Sequence, residues 1–362
     1  MVVFYHCLLV YPSFYSILGG VGTSIFEVPE AWVAWLTLFP ARLAWAGREA
    51  VLFFFVLSGF VLSLAYLGRS PPGYGEFMVK RFCRLYLPYA AMILATAALW
   101  IAVGPQDKPE LSRWFTVHSW SEAPTPWVLL RHLAMTGGGL TLNNVSWTLV
   151  VEWRVAFIFP LLVLLCRFNL ALGIAAGLGL VALHFTSVAA WDFHRLYTLS
   201  YVIYFILGVL LAVHRSEVCA WLERAPLSTR ALLWASVYLL FNARWLTPWA
   251  SPFADIANGV GAVLLIAMVL TSPTAERFLT VRPALWLGAI SYSLYLVHVP
   301  VLMAMVHVLE GPLPLVAILV LVPLASLVIA QAFHLLVEHP LTELGRLLGL
   351  RFSVRRPVKV SG

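Results

Sequence analysis

Ten stretches of about 20 mostly apolar residues recur along this 362-residue chain, and each is long enough to cross the hydrocarbon core of a bilayer as a helix. Only 11% of the residues are charged, whereas a soluble domain averages about 25%. The sequence therefore predicts an all-α, polytopic membrane helix bundle of about ten transmembrane helices. The predicted spans are roughly 1–18, 50–67, 85–104, 145–165, 168–189, 196–213, 231–248, 254–271, 284–306 and 312–337.

Two connecting segments differ from these spans. Residues 31–45 are apolar but short, which favours a re-entrant or interfacial piece. Residues 105–144 form the longest connection, and they are polar enough to form an external cap.

The distribution of Lys and Arg predicts how the bundle is oriented. With the N-terminus in the cytoplasm, fifteen of these residues fall on the inner side and seven on the outer side, and Arg154 lies inside a span. Because cytoplasmic loops carry the excess of basic residues, both termini are expected to be cytoplasmic. This bias explains the net charge of +7, so a nucleic-acid partner is not expected.

Four ionisable side chains, His6, Glu152, Arg154 and His298, fall inside predicted spans. A carboxylate at mid-membrane costs at least about 2.5–3.5 kcal/mol unless it is paired or wetted. Glu152 and Arg154 are two residues apart and point to different faces of a helix, so they are not expected to pair with each other. Each needs a partner on another helix or a polar cavity, for function or as a structural buried ion pair.

The two histidines allow two interpretations. A neutral imidazole such as that of His6 can act as a general base, but it can also simply bond a neighbouring helix. Ser291, Tyr295 and His298 are spaced at i, i+4 and i+7, which makes one polar stripe along a helix. Such a stripe suits a lined cavity, and interhelical hydrogen bonds are the alternative.

Arg81 and Arg84 are three residues apart at the cytoplasmic end of the third predicted span. On one helix face, two guanidinium groups can hold phosphates bidentately. An ordinary positive-inside anchor explains the same spacing. The sequence has no Gly-x-x-x-x-Gly-Lys-Ser/Thr, Gly-x-Ser-x-Gly or His-Glu-x-x-His motif, which disfavours ATPase, serine hydrolase and zinc protease functions. No metal site is predicted.

Five short motifs follow one another along nearly the whole chain. They are Gly47–Val51 with Phe54–Phe60, Arg81-Phe-Cys-Arg84 with Pro88, Ser146-Trp147 with Glu152, Arg154 and Pro160, Ile290-Ser-Tyr-Ser-Leu-Tyr-Leu-Val-His298, and Glu338-His-Pro340. In this order, on a ten-span frame, they resemble the signatures of the acyltransferase-3 family of integral membrane O-acyltransferases.

The resemblance implies transfer of an acyl group, commonly acetyl, from cytoplasmic acyl-coenzyme A (acyl-CoA) to a hydroxyl of a surface or secreted glycan or a lipid-linked sugar. It implies a multi-pass protein of the bacterial cytoplasmic (inner) membrane, in contact with lipid, that uses acyl-CoA as a co-substrate and binds no permanent cofactor. It implies that His6 is the catalytic base, that Glu152 or Arg154 orients it or polarises the site, and that Arg81 and Arg84 hold the CoA phosphates. The other expected substrate-binding residues are Ser146, Trp147, Arg154, Ser291, Tyr295 and His298.

The family's first span carries an Arg, ten further residues and then the catalytic His. His6 matches the His, but the Arg would precede Met1, so the natural chain is expected to begin upstream. The predicted domains are an acyltransferase domain at 1–345, truncated at its N-terminus, and a basic cytoplasmic tail at 346–362. A transporter or flippase of a small molecule or lipid-linked sugar is the alternative function, since it also places ionisable groups at mid-membrane.

Overall fold

The computed structural model describes residues 1–18, 41–187, 193–243 and 251–352. Within these ranges the chain is helical, apart from loops and an isolated bridge between Glu310 and Leu313, which confirms the all-α prediction. The helices are α1 Val2–Leu9, α2 Pro12–Leu18, α3 Gly47–Leu67, α4 Tyr74–Arg81, α5 Leu87–Val103, α6 Arg113–His118, α7 Pro126–Leu133, α8 Ser146–Phe168, α9 Leu170–Ser187, α10 Phe193–Val213, α11 Arg215–Arg224, α12 Leu227–Phe241, α13 Ser251–Leu270, α14 Pro273–Leu279, α15 Arg282–Leu309, α16 Leu315–Phe333 and α17 His339–Phe352.

Every predicted span falls on a helix, but fewer helices meet the requirements for crossing a membrane. In the described part of the chain six are long and apolar enough, and a seventh is possible if α10 and α11, which meet at a 70° bend, count as one span. Two shorter apolar helices cover 170–185 and 227–241. The chain is thus a multi-pass membrane protein, whereas the count of about ten spans and the cytoplasmic termini stay predictions.

The structure describes three of the predicted boundaries in whole or in part. The first predicted span is divided into α1 and α2, because the chain turns just before Pro12. Of the 31–45 segment, residues 31–40 lie outside the described residues, and Ala41–Trp45 is a 3₁₀ helix. Helix α17 includes residues on both sides of 345, and 353–362 of the predicted tail lie outside the described residues. The division into an acyltransferase domain and a basic tail stays a prediction.

Helices α3 and α10 approach each other closely through glycines. A Cβ at Gly59 would overlap the carbonyl of Phe205, and a Cβ at Gly208 would overlap the carbonyl of Val56. In a membrane, where lipid is as apolar as leucine, such small residues allow the backbone contact that drives helix association. This contact fixes one face of α3 against α10 and leaves the opposite face for the candidate site.

Two π-helical segments interrupt long helices, Phe82–Tyr86 between α4 and α5, and His334–Glu338 between α16 and α17. Consecutive residues of α15 hold both. Tyr292 donates its hydroxyl to the Leu85 carbonyl (2.6 Å), and Ser293 donates to Glu338 Oε2 (2.5 Å). Because π-bulges are frequent at functional sites, the two segments indicate a functional site at this end of the bundle.

The 105–144 segment covers the opposite end of α1 and α15. Ser112 donates its hydroxyl to the Leu9 carbonyl and its backbone N–H to the Val10 carbonyl (3.0 Å). Lys108 forms an ion pair with Glu310 just after α15 (2.6 Å). The segment therefore acts as a cap on these helices, and its placement outside the cell stays a prediction.

Candidate active site

A cavity of about 480 Å³ lies among α3, α8, α15 and the first π-helical segment. Helix α3 supplies a largely apolar wall with one hydroxyl, that of Ser58, and the other polar side chains project from α8, from α15 and from the chain at Arg81 and Arg84. The apolar wall is Ala50, Val51, Phe53, Phe54, Leu57, Val61 and Leu62, and the facing polar groups are Arg81, Arg84, Thr148, Glu152, Ser291, Tyr292 and Tyr295.

The cavity is long. Its lining on α3 extends from Ala50 to Leu62, which corresponds to roughly 18 Å at about 1.5 Å per residue. Arg84 lies on the wall and is exposed. It forms no ion pair with any described residue, so it contributes an unneutralised positive charge.

A pair of histidines lies close to the cavity without lining it. His6 Nδ1 and His298 Nε2 are 2.8 Å apart, and His298 Nδ1 lies 3.1 Å from the Leu294 carbonyl. A carbonyl can only accept, so His298 donates from Nδ1, and in the neutral ring its Nε2 must accept. His6 therefore donates from Nδ1, and its Nε2 carries a free lone pair.

The pair lies one helical turn beyond the cavity wall. Val2 lines the cavity, and His6 follows it four residues later on α1. Tyr295 lines the cavity, and His298 follows it three residues later on α15. The indole of Trp114 stacks on His6 at 5.2 Å, so the cap covers the pair from the other side.

A proline and an asparagine support this arrangement. Pro300 lies inside α15 and has no N–H to donate to the Leu296 carbonyl. Asn143, from the end of the cap segment, donates Nδ2 to that carbonyl (2.9 Å). The hydroxyls of Thr148 and Tyr295 are 2.7 Å apart, about one helical turn before His298 on α15. The cap and α8 are thus both attached to α15 within the helical turn that precedes His298.

Glu152 is paired with Arg81, whose Nη2 lies 2.5 Å from Oε1. The prediction that Glu152 and Arg154 do not pair with each other is confirmed. His6 contacts His298, whereas Glu152 contacts Arg81. That Glu152 or Arg154 orients His6 or polarises the site stays a prediction. Arg81 and Arg84 both line the cavity, but only Arg84 has its charge unneutralised.

Three predicted substrate-binding residues lie elsewhere. Arg154 donates to Thr198 Oγ1 (3.0 Å) and to the Thr136 carbonyl (2.6 Å). The Arg154 guanidinium also lies over the ring of Tyr197. Ser146 and Trp147 lie at the start of α8, the helix that carries Arg154. None of the three is on the wall of this cavity, so their binding roles stay predictions.

Comparison with known proteins supports the family that the order of the motifs suggests. The sequence model of the acyltransferase-3 family, described as an acyltransferase domain, matches residues 1–335. The chain belongs to the acyltransferase-3 family. A Bacillus subtilis (strain 168) protein named "Putative peptidoglycan O-acetyltransferase YrhL" is 25% identical over 346 residues, covering 86% of this acyltransferase-3 chain. The match covers 53% of that relative, so the chain spans about half its length. No solved structure matches this chain.

The candidate site of this acyltransferase-3 chain, meaning the cavity and the adjoining histidine pair, also involves residues that the sequence did not single out. Thr148 and Tyr292 line it, Trp114 covers His6, and Asn143 bonds to α15. Tyr292 stands within the Ile290–His298 motif, which is the one signal that could have indicated it. Asn143 and Leu296 are 153 residues apart, and no local pattern connects them.

Proposed function

We propose that this chain is a membrane O-acyltransferase that moves an acyl group, commonly acetyl, from acyl-CoA to a hydroxyl of a glycan or lipid-linked sugar. The observation that carries the proposal is the His6–His298 pair, which lies one helical turn beyond Val2 and Tyr295 on the wall of a long cavity that also carries Arg84. A base at one end and a cation for phosphate at the other suit a donor that is long, charged at one end and reactive at the other.

The length of the cavity supports this donor. In CoA, about thirteen bonds separate the sulfur from the first phosphorus, or roughly 16 Å when extended at about 3.8 Å per three bonds. The wall from Ala50 to Leu62 extends over roughly 18 Å. A thioester near the histidine pair therefore leaves the phosphates near Arg84.

The proposed reaction is direct transfer, with His6 Nε2 as the base. It takes the proton of the acceptor hydroxyl, and the hydroxyl oxygen attacks the thioester carbonyl carbon. The carbon–sulfur bond then breaks, the thiolate takes the proton from His6, and the products are the ester and CoA thiol. His298 accepts from His6 Nδ1 throughout, so it stabilises the transient imidazolium and keeps Nε2 directed at the hydroxyl.

The proposed acceptor is a glycan hydroxyl. The Bacillus subtilis relative is named for peptidoglycan O-acetylation, and a glycan offers the hydroxyl groups that the reaction needs. We propose that the acceptor enters from the cap side, opposite Arg84, and that the protein lies in a bacterial cytoplasmic membrane with Arg84 towards the cytoplasm.

Purified protein incubated with acetyl-labelled acetyl-CoA and a panel of glycans tests this proposal. We expect equal amounts of free CoA thiol and of label in a base-labile ester on the acceptor. A transporter or flippase would move label or sugar across vesicles without consuming thioester. That outcome would replace the proposed function with the alternative.

A further inference from the structure

The Arg81–Glu152 ion pair on the cavity wall is incompletely satisfied. Arg81 Nη2 binds Glu152 Oε1, but Arg81 Nε and Glu152 Oε2 have no hydrogen-bond partner among the described residues. Both side chains are largely buried, with 12% and 5% of their surfaces exposed. An unmet donor and an unmet acceptor on buried charged groups are unfavourable, and native proteins rarely leave them so.

The chemistry of the missing partner is restricted. Glu152 repels a phosphate or carboxylate, and Arg81 repels a cation. A neutral group that donates one hydrogen and accepts another satisfies both atoms, and a secondary amide does this with its N–H and carbonyl. We infer that the Arg81–Glu152 pair binds an amide of the donor's pantetheine arm, with the N–H donating to Glu152 Oε2 and Arg81 Nε donating to the carbonyl.

The position along the cavity indicates which amide. Glu152 lies four residues below Thr148 on α8, and Thr148 contacts Tyr295, which lies three residues below His298. Seven residues correspond to roughly 10 Å along the bundle. In a pantetheine arm the distal amide nitrogen is about seven bonds from the sulfur, or roughly 9 Å when extended, whereas the nearer amide is about three bonds away. The distal amide therefore reaches the pair when the thioester is at His6.

This inference rests on the proposed donor, and it assigns the two arginines different tasks. Arg84 binds phosphate, and Arg81 together with Glu152 binds the distal amide of the pantetheine arm. The two unpartnered atoms are buried, so a small rotation of the Arg81 side chain accompanies binding. Glu152 is then a specificity-determining residue and does not contact the reacting atoms.

The test compares two phosphate-free donors, S-acetyl-pantetheine and its analogue with an ester oxygen in place of the distal amide N–H. The parent protein should prefer the amide donor by at least about tenfold in kcat/KM. With the ester analogue a hydrogen bond to the charged Glu152 is lost, and the ester oxygen is brought against Glu152 Oε2. In Glu152→Gln this preference should fall towards one, because the new carboxamide can donate to the ester oxygen.

Two further variants serve as controls. Arg81→Lys keeps a cation beside Glu152 but lacks Nε, so kcat/KM should fall for both donors and the preference should remain. Arg84→Gln should weaken the binding of acetyl-CoA and leave the preference for the amide donor unchanged. The preference is also measured as binding, from the ligand-induced shift in melting temperature, which needs no turnover.

Equal use of both donors by the parent protein overturns the inference, as does a preference that persists in Glu152→Gln. If Glu152→Gln does not fold, the parent comparison and Arg81→Lys still decide the matter. A parent protein that consumes no thioester overturns the proposed function. One that consumes acetyl-CoA without distinguishing the analogues overturns the amide site alone.

Discussion

His6 Nδ1 and His298 Nε2 are joined by a 2.8 Å hydrogen bond, although the two residues are 292 positions apart in the chain. The Leu294 carbonyl fixes the proton on His298 Nδ1 and thereby leaves His6 Nε2 unprotonated. The relationship resembles a catalytic histidine held by an orienting acceptor, with an imidazole in place of a carboxylate. We therefore propose that His298 positions His6, whereas the sequence predicted that it binds substrate.

Replacing His298 separates positioning from packing. His298→Gln keeps an acceptor for His6 Nδ1, so we expect partial activity. His298→Leu fills the space without an acceptor, and kcat should fall by about 10²-fold or more, because His6 loses its fixed tautomer. KM for acetyl-CoA should change little in either variant. Equal activity of the Gln and Leu variants, at matched melting temperature, would contradict the positioning role.

Arg84 should act on the phosphates of the donor and on nothing else. Arg84→Gln should raise KM for acetyl-CoA about tenfold or more and leave KM for S-acetyl-pantetheine unchanged, since the loss is uniform binding to a group that only CoA has. The matched control is Arg346→Gln, an exposed arginine that pairs with Glu343 away from the cavity. If both variants behave alike, Arg84 is a topology anchor.

The Arg81–Glu152 pair allows a double-mutant cycle on stability. Each single change to Gln leaves a largely buried charge without its partner, which costs about 3–5 kcal/mol for a fully buried pair and less here beside a cavity. The double change removes both charges, so its melting temperature should exceed that of either single variant. Activity should not recover with it. Additive melting shifts would show that the two side chains are not coupled.

Close packing of α3 on α10 predicts a strong effect of one methyl group. Gly59→Ala should lower the melting temperature and the yield of folded protein, because the Cβ overlaps the Phe205 carbonyl. Gly179→Ala is the control, since a Cβ there meets no atom within 4 Å. It should be neutral or slightly stabilising, as helix propensity favours alanine. Equal effects of the two changes would contradict the packing account.

The cap should lose stability in acid because of His132, which lies outside the spanning helices. Burial, with a smaller effect of the Arg131 charge, lowers the pKa of His132 to about 4. Its Nε2 accepts from the Leu142 N–H (3.1 Å). The unfolded chain, with a pKa of about 6.5, binds more protons between these values, so stability is full above about pH 6.5 and is lost as the pH falls towards 4.

The measurement is the melting temperature between pH 7 and pH 5. His132→Gln keeps an acceptor for the Leu142 N–H but does not titrate, so its melting temperature should depend less on pH than that of the parent. An identical pH dependence in both proteins would remove His132 from the account.

The sequence predicted the helices well and the site only in part, for physical reasons. Apolar periodicity and length are local, so each predicted span falls on a helix. The pairing of Arg81 with Glu152 and of His6 with His298 depends on how distant helices pack, which no spacing reveals. The sequence signal for the division of 1–18 into two helices is Pro12, which lies at the start of the second helix. Residues 19–40, 188–192, 244–250 and 353–362 lie outside this comparison.

The central claim is that His6 transfers a proton during acyl transfer from a thioester. Its most direct test is single-turnover transfer of labelled acetyl from acetyl-CoA to a glycan acceptor, measured on the parent protein and on His6→Ala purified to the same melting temperature. The account predicts ester formation by the parent and a rate at least about 10²-fold lower in His6→Ala, with acetyl-CoA binding retained. Transfer by His6→Ala at a rate near that of the parent would contradict it.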